Sequence, residues 1–359
     1  MDYKKRQNAL IEILSGKGLD SAVILCPENV FYLTGAPFVT GSADTLLYLD
    51  RDRGASLIVW NRDYEETKDR VKGVNIEKLE VGEKPIDRLK KLAVQSERAG
   101  FEEGFVNIGI HNSFKAIFDL VPLEGAIGKM REVKDADEIA CIEKAQGVTD
   151  RAFSKALGRF SEGMTEQEAA SELEYCLRRE GAESYAFETI VGSGHRAVYP
   201  HGMPSKKIAI GGEAVVFDFG AKVDGYCSDM TRTIFFGKPN GEMVNVYEAV
   251  LEAQTAALAA AKAGIAGKEL DAVARNILNA RGYGKYFVHG LGHGVGIAIH
   301  EGPSASSKSE DVFVPGNIIT DEPGVYLPRV GGVRIEDMIL ITDNGCRNLT
   351  KSKKDLTVV

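Results

Sequence analysis

Between Phe287 and Pro303 the chain reads FVHGLGHGVGIAIHEGP, which sets His289, His293 and His300 among five glycines. Five of the six histidines fall between His195 and His300. Imidazoles gathered this densely suit metal ligation or proton handling. The glycines argue against a helix that would turn His289 and His293 onto one ion. In an extended chain the two share a face but stand about 13 Å apart. One can bind a metal, and the other is better placed to touch a substrate. His293, where glycine lets other backbone approach closely, is the candidate ligand. His201 in YPHGMP and His300 in IHEGP come next. His111 and His195 read as surface or hydrogen-bonded core imidazoles.

Carboxylates are patterned as well. In VVFDFGAKVDGYCSDMTRTIFF, Asp218 interrupts one apolar strand and Asp229 sits in the next. The Asp224-Gly225 pair between them predicts a two-residue hairpin turn. Val223 then pairs with Tyr226, Asp218 lies opposite Thr231, and Asp229 is a diagonal neighbour on the same face, roughly 7 Å away. Two acids on an otherwise apolar ribbon repel and are costly to desolvate unless cations or protons neutralise them. The alternative is that Arg232 or a lysine pairs with one acid while solvent takes the other.

The segment IITDEPGVYLPRVGGVRIEDMILIT repeats the design with Glu322 and Glu336. A five-residue loop over 328–332 pairs Leu327 with Val333 and makes Glu336 the diagonal neighbour of Glu322. One imidazole with four carboxylates suits two divalent ions such as Mn²⁺, Co²⁺, Fe²⁺ or Zn²⁺. The chemistry of such a pair is metal-assisted hydrolysis.

These segments need elements to position them. Gly163–Gly181 and Gly264–Gly282 form a weak internal repeat of equal length, with Glu168 matching Glu269 and Leu177 matching Leu278. Each copy follows a helical segment and precedes an apolar strand, with Tyr185 and Tyr286 at matching offsets. The pattern describes a domain of two similar halves with a cleft between them. Upstream, a first helix to about Lys17, the apolar runs SAVILC, TLLYLD and ASLIVW, and the helical YEETKDRVK and PIDRLKKLAV alternate as in an α/β domain with a mixed sheet. A boundary near EGAIGKMREVKDADEI precedes a long helix with Ile139, Ile142 and Ala145 at helical spacing.

The whole chain bounds the rest. Its 359 residues favour two domains, and 44% hydrophobic with 27% charged residues describe a soluble globular protein. A net charge of -8 with no basic cluster excludes general nucleic-acid binding. Cys26, Cys141, Cys176, Cys227 and Cys346 are scattered and odd in number, as expected of a reducing cytoplasm. The N-terminus is neither a signal peptide nor a membrane span.

FDFG…GYCSDMTRT, HGLGHGVG…HEGP, TDEPGVY and GGVRIED, taken together, resemble the pita-bread metallopeptidase family of methionine aminopeptidase, aminopeptidase P and prolidase, over about 131–359. The resemblance implies an α/β N-terminal domain over 1–130 and an α+β pita-bread catalytic domain over 131–359 with pseudo-two-fold halves. It implies Asp218, Asp229, His293, Glu322 and Glu336 as ligands of two metal ions, manganese or cobalt foremost, with zinc or iron as alternatives. By the same resemblance Asp229 and Glu336 would bridge the two ions, and Glu322 would also take the proton from the nucleophilic water. The resemblance gives His289 and His300 the role of holding substrate and stabilising the tetrahedral intermediate, with His201 lining the same pocket. Tyr326 and Arg334 fall near the metals, either as catalytic groups or as strand packing with an ion pair.

The expected substrate is a small peptide with proline second, cleaved before the proline, and a homodimer is what relatives suggest. Dipeptidase (prolidase) is favoured, with aminopeptidase P as the alternative and a metal-free creatinase-like hydrolase or binding protein more remote. One departure is Asp321, at a position usually apolar in these enzymes. Strand alternation turns it away from Glu322, towards an arginine such as Arg329 or a subunit contact.

Overall fold

Leu10 and Leu14 lie about one turn apart on the helix Tyr3–Gly16 and are both fully buried, the apolar stripe that the opening sequence predicts. The computed structural model describes residues 1–36, 45–93 and 97–359. They form two compact units, Met1–Arg131 and Glu132–Val359. In the first, the apolar runs become the strands Ser21–Ile24, Leu46–Asp50 and Gly54–Trp60. Asn75–Leu79 extends this sheet on one side, and Arg98–Phe101 followed by Asp119–Pro122 on the other. The sheet is mixed, because Ser21–Ile24 runs antiparallel to Leu46–Asp50 and parallel to Arg98–Phe101. The helices Asn61–Arg70 and Pro85–Leu92 alternate with the strands. Val94, the end of the expected helical run PIDRLKKLAV, lies outside the described residues. Among the described residues, no helix is long and apolar enough to cross a membrane.

The second unit carries the repeat. Helices Ala136–Leu157 and Glu166–Glu180 pack as one pair, and Gly241–Ala260 and Gly267–Ala280 as the other. Matching glycines open and close the repeated segments: Gly163 and Gly264 have φ of +92° and +85°, and Gly181 and Gly282 have +108° and +82°. Only glycine adopts these conformations without strain, which explains why both copies keep it. The repeated glutamates do the same work, Glu168 accepting from the Thr165 N–H at 2.8 Å and Glu269 from the Ala266 N–H at 3.1 Å. The bridges Thr165–Ile208 and Ala266–Val312 are equivalent in the two halves. Leu177 and Leu278 are fully buried in separate apolar clusters, one for each half.

Both halves hang a hairpin at the join. In the first, strands Ala214–Phe219 and Met230–Phe235 pair Asp218 with Thr231, and Val223 pairs with Tyr226 across the turn, as the Asp-Gly turn predicts. Asp224 and Gly225 both have positive φ, +50° and +80°, the signature of a type I′ turn. The second hairpin is tighter than expected. Leu327 pairs with Gly331 and Val325 with Val333, leaving a loop of 328–330 in place of 328–332. Pro328 presets the turn, Arg329 takes φ +69°, and the Val330 N–H donates to the Leu327 carbonyl at 3.0 Å, which closes a type II turn. The register therefore moves by two residues. An even shift leaves every side chain on its original face, so Glu322 and Glu336 still point the same way but stand opposite each other.

Candidate metal centre

Why can two strands and a loop approach closely enough to share an ion? The glycines around His293 supply the answer through packing, since none of Gly290, Gly292, Gly294 and Gly296 has a positive φ. A Cβ on Gly292 would sit 2.1 Å from the Thr320 carbonyl oxygen, and one on Gly294 would sit 2.2 Å from that of Gly302. The strand Gly292–Gly294 is thereby pressed between Glu301–Ala305 and Ile318–Asp321, with His293 facing the acids.

Asp229, His293 and Glu336 each offer a ligand atom, and the three atoms lie within 4.8 Å of one another. His293 Nε2 lies 3.4 Å from Glu322 Oε1 and 3.7 Å from Asp229 Oδ2. Its Nδ1 lies 3.1 Å from the Gly294 carbonyl oxygen, to which it donates, and this leaves Nε2 with its lone pair towards the carboxylates. Two threonines that sequence reasoning missed aim the acids. Thr231 Oγ1 donates to Glu336 Oε2 at 2.7 Å, and Thr320 Oγ1 donates to Glu322 Oε1 at 3.0 Å. The signal was present in the first hairpin, where Thr231 stands directly across from Asp218.

Asp218 joins the group by a different route. Its Oδ2 accepts from Arg334 Nη2 at 2.6 Å, while its buried Oδ1 has no hydrogen-bond partner among the described residues. Arg232, the expected alternative partner, reaches neither Asp218 nor Asp229 and instead pairs with Asp337 at 2.8 Å. Burial, reinforced by Glu336, Asp218 and Glu322, holds the Asp229 carboxyl well above the usual carboxylate range. Burial next to Glu322 and Asp218 does the same to Glu336, and burial raises Glu322 as well. The chain alone supplies too little positive charge here. A crowded oxygen donor set, one imidazole with its lone pair free and an orphaned carboxylate oxygen fit divalent cations.

The histidines divide into two kinds. His289 is fully engaged: its Nδ1 donates to the Gly290 carbonyl at 2.7 Å and its Nε2 accepts from the Tyr326 hydroxyl at 2.8 Å. Tyr326 in turn accepts from Arg334 Nη1 at 2.8 Å, and burial raises its hydroxyl to about 12, so it stays protonated. His300 is exposed and has no hydrogen bond within the described chain, and its ring stands 4.2 Å from that of His293. Burial lowers His289 and His293 below the ordinary imidazole value, and partial desolvation with the neighbouring His293 does the same to the more exposed His300, which favours the neutral form of each. His201 is exposed on the same cavity. His111 lies in the first unit against Phe101, with ring centroids 5.2 Å apart, and His195 is exposed in a short 3₁₀ turn.

The resulting cavity encloses about 750 Å³. The acids, His201, His289, His293, His300 and Arg334 line it, with Phe187, Ile190, Met203 and Val288 as apolar wall. Asp321 takes no part in it. It is fully buried on the opposite face, where Gln254 Nε2 donates to it at 3.2 Å, while Arg329 is exposed at the hairpin tip. Neither expected partner for Asp321, Arg329 or a second subunit, fits a side chain sealed inside its own unit.

Comparison with known proteins agrees with this geometry. Residues 140–343 match the model of metallopeptidase family M24, and residues 6–133 match the creatinase/prolidase N-terminal domain. The chain is 40% identical over 356 residues to the Xaa-Pro dipeptidase of Pyrococcus furiosus, covering 98% of this chain and 99% of that one. The structure of an Xaa-Pro dipeptidase from Bacillus anthracis superposes with a TM-score of 0.93 at 35% identity, covering 100% of both chains. That of an X-Pro aminopeptidase from Thermotoga maritima gives 0.89 at 35% identity, covering 98% and 99%. An α/β first domain, a catalytic domain of two like halves and a cluster of acids with one histidine at their join all lead to one statement: the chain belongs to the M24 metallopeptidases, the pita-bread fold, and is a metal-dependent peptidase.

Proposed function

We propose that this enzyme is a proline-specific dipeptidase that hydrolyses the Xaa-Pro bond, with Asp218, Asp229, His293, Glu322 and Glu336 holding two divalent ions. The observation that carries this reading is the convergence of Asp229, His293 and Glu336 in a cavity of a size suited to a small peptide. The names of the relatives support the substrate, since the Pyrococcus protein and the Bacillus structure are both Xaa-Pro dipeptidases.

When bound, the pair of ions activates a water and polarises the scissile carbonyl. Glu322 takes the proton of the attacking water and returns it to the proline nitrogen, which leaves as a secondary amine. His300, uncommitted within the chain, donates to the carbonyl oxygen as it becomes tetrahedral. His201 lines the substrate's path. His289, engaged on both nitrogens, offers its ring rather than a hydrogen bond. Arg334 and Tyr326 hold Asp218 and His289 in place. Phe187, Ile190 and Val288 give the proline ring an apolar wall.

Manganese or cobalt suits this oxygen-rich donor set, with zinc or iron as alternatives. Five free cysteines fit a reducing cytoplasm, and we assign the enzyme there as a homodimer. We assign a creatinase-like domain to 1–130 and the catalytic domain to 131–359, within one residue of the division between the two compact units.

The test is to strip the protein with a chelator, restore Mn²⁺ or Co²⁺, and compare Xaa-Pro dipeptides with Xaa-Pro-Yaa tripeptides. Faster cleavage of the dipeptide is expected. A strong preference for the tripeptide would assign the enzyme to the aminopeptidase class, to which the Thermotoga structure belongs. Activity indifferent to chelation would end the metallopeptidase reading.

A further inference from the structure

Behind the metal centre, on the opposite face of the same two strands, lies a second cluster of charge. Asp321 and Asp337 stand opposite each other between the strands Ile318–Asp321 and Asp337–Thr342, both fully buried. Each is the sequence neighbour of a proposed ligand, Glu322 or Glu336, and points the other way. Asp337 accepts from four groups: Arg232 Nη2 at 2.8 Å, Lys354 Nζ at 2.7 Å, Asn348 Nδ2 at 2.7 Å and Gln254 Nε2 at 3.1 Å. Asp321 accepts from Gln254 alone, and its Oδ1 is buried without a partner among the described residues.

Two members of the cluster link it to the segment around Lys354. Lys354 Nζ also donates to Gln254 Oε1 at 2.7 Å, so one ammonium joins Asp337 to the glutamine that holds Asp321. Arg232 donates to the carbonyls of Ser352 at 2.7 Å and Lys353 at 3.0 Å, and to that of Glu336. The Tyr247 hydroxyl donates to the carbonyl of Lys354 itself at 3.1 Å.

We propose that Lys354 is a positioning residue for the metal centre: by tying Gln254 to Asp337 it fixes the two backbone segments that carry Glu322 and Glu336. This rests on the metal-site reading above. Groups that orient metal ligands from behind change metal affinity by about 10–100-fold when removed.

The test is calorimetric titration of metal-stripped protein with Mn²⁺, beside the thermal unfolding of the same metal-free samples. Lys354→Met and Gln254→Met are each expected to weaken Mn²⁺ binding about 10–100-fold. Lys354→Arg, which keeps a donor at Asp337, is expected to recover most of that affinity. Thr357→Ala, in the nearby strand Thr357–Val358, is expected to leave the isotherm unchanged. A merely structural cluster would lower the metal-free unfolding temperature of the Lys354 and Gln254 variants and leave their Mn²⁺ isotherms at wild type. That result, in whichever of the two variants folds, overturns the proposal, and failure of both to fold as the metal-free protein overturns it equally. Wild-type protein that binds no Mn²⁺ would instead defeat the metal site itself.

Discussion

Arg334 Nη2 donates to Asp218 Oδ2 at 2.6 Å, so the one cation among the described residues lining the cavity is already spent on a carboxylate. The same guanidinium donates to Tyr326 and to Thr231 Oγ1 at 3.0 Å, which makes it the hub of one wall of the site. Arg334→Met leaves Asp218 without its partner, and removing half of a buried pair costs about 3–5 kcal/mol. Chemical denaturation of the metal-free variant should show that loss, with part of it regained in Mn²⁺. Arg334→Lys keeps the charge and loses the fork, so kcat/KM should fall at least about tenfold. Wild-type kinetics in the lysine variant would reduce Arg334 to a point charge.

The crowded acids also set a pH dependence in the metal-free protein. Asp229 and Glu336 have folded-state values well above the ordinary 3.8 and 4.5, raised first by burial and then by their acidic neighbours. The native state therefore keeps protons that the unfolded chain has released. Their contribution is greatest below the ordinary values and is lost as pH rises from there towards the folded ones, by up to about 1.4 kcal/mol per pH unit for each group. Denaturation in chelator should show a falling slope in the wild type that is shallower in Asp229→Asn, which keeps only the share of Glu336. Mn²⁺ should invert it, because metal binding displaces these protons. Parallel curves for the two proteins would count against the raised carboxyls.

Gly292→Ala tests the packing around His293. The new Cβ meets the Thr320 carbonyl oxygen at 2.1 Å, and Thr320 is also the residue whose hydroxyl accepts from the His293 N–H at 3.0 Å. Overpacking of this kind costs about 1–3 kcal/mol. The strand must move, so Mn²⁺ uptake should fall together with stability. An alanine variant with unchanged metal affinity would show that the glycine is dispensable.

His293→Ala removes the imidazole whose lone pair faces Glu322 and Asp229, and it should abolish both Mn²⁺ binding and metal-dependent turnover. His111→Ala, in the other unit, removes only a ring packed on Phe101 and should leave kcat/KM near wild type. Equal losses in the two variants would undo the distinction between them.

How much of this was legible beforehand differs between the two hairpins. Asp224-Gly225 announces a type I′ turn, because both residues tolerate positive φ, and so the register of Asp218 follows from the sequence. Pro328-Arg329 announces nothing comparable. A left-handed arginine is uncommon, and the three-residue loop it closes shifts the pairing by two. The acids still converge because the side-chain period of a strand is also two. Asp321's orientation was readable from alternation, while its partner Gln254, on the helix Gly241–Ala260, lies 67 positions away and carries no local signal. The commitment of His289 to Tyr326 was hidden for the same reason, since it depends on how the tightened hairpin meets the glycine-rich loop.

The ligand set is divided unevenly between the paired halves: Asp218 and Asp229 come from the first hairpin, and His293, Glu322 and Glu336 from the second half. Each half has its own apolar core, yet neither owns a complete coordination shell. Ions bound at the seam therefore act as added rivets in a join that Arg232 on Asp337 and Arg334 on Asp218 already hold. Chelation should make proteolytic nicking begin at that seam, well before either hydrophobic core gives way.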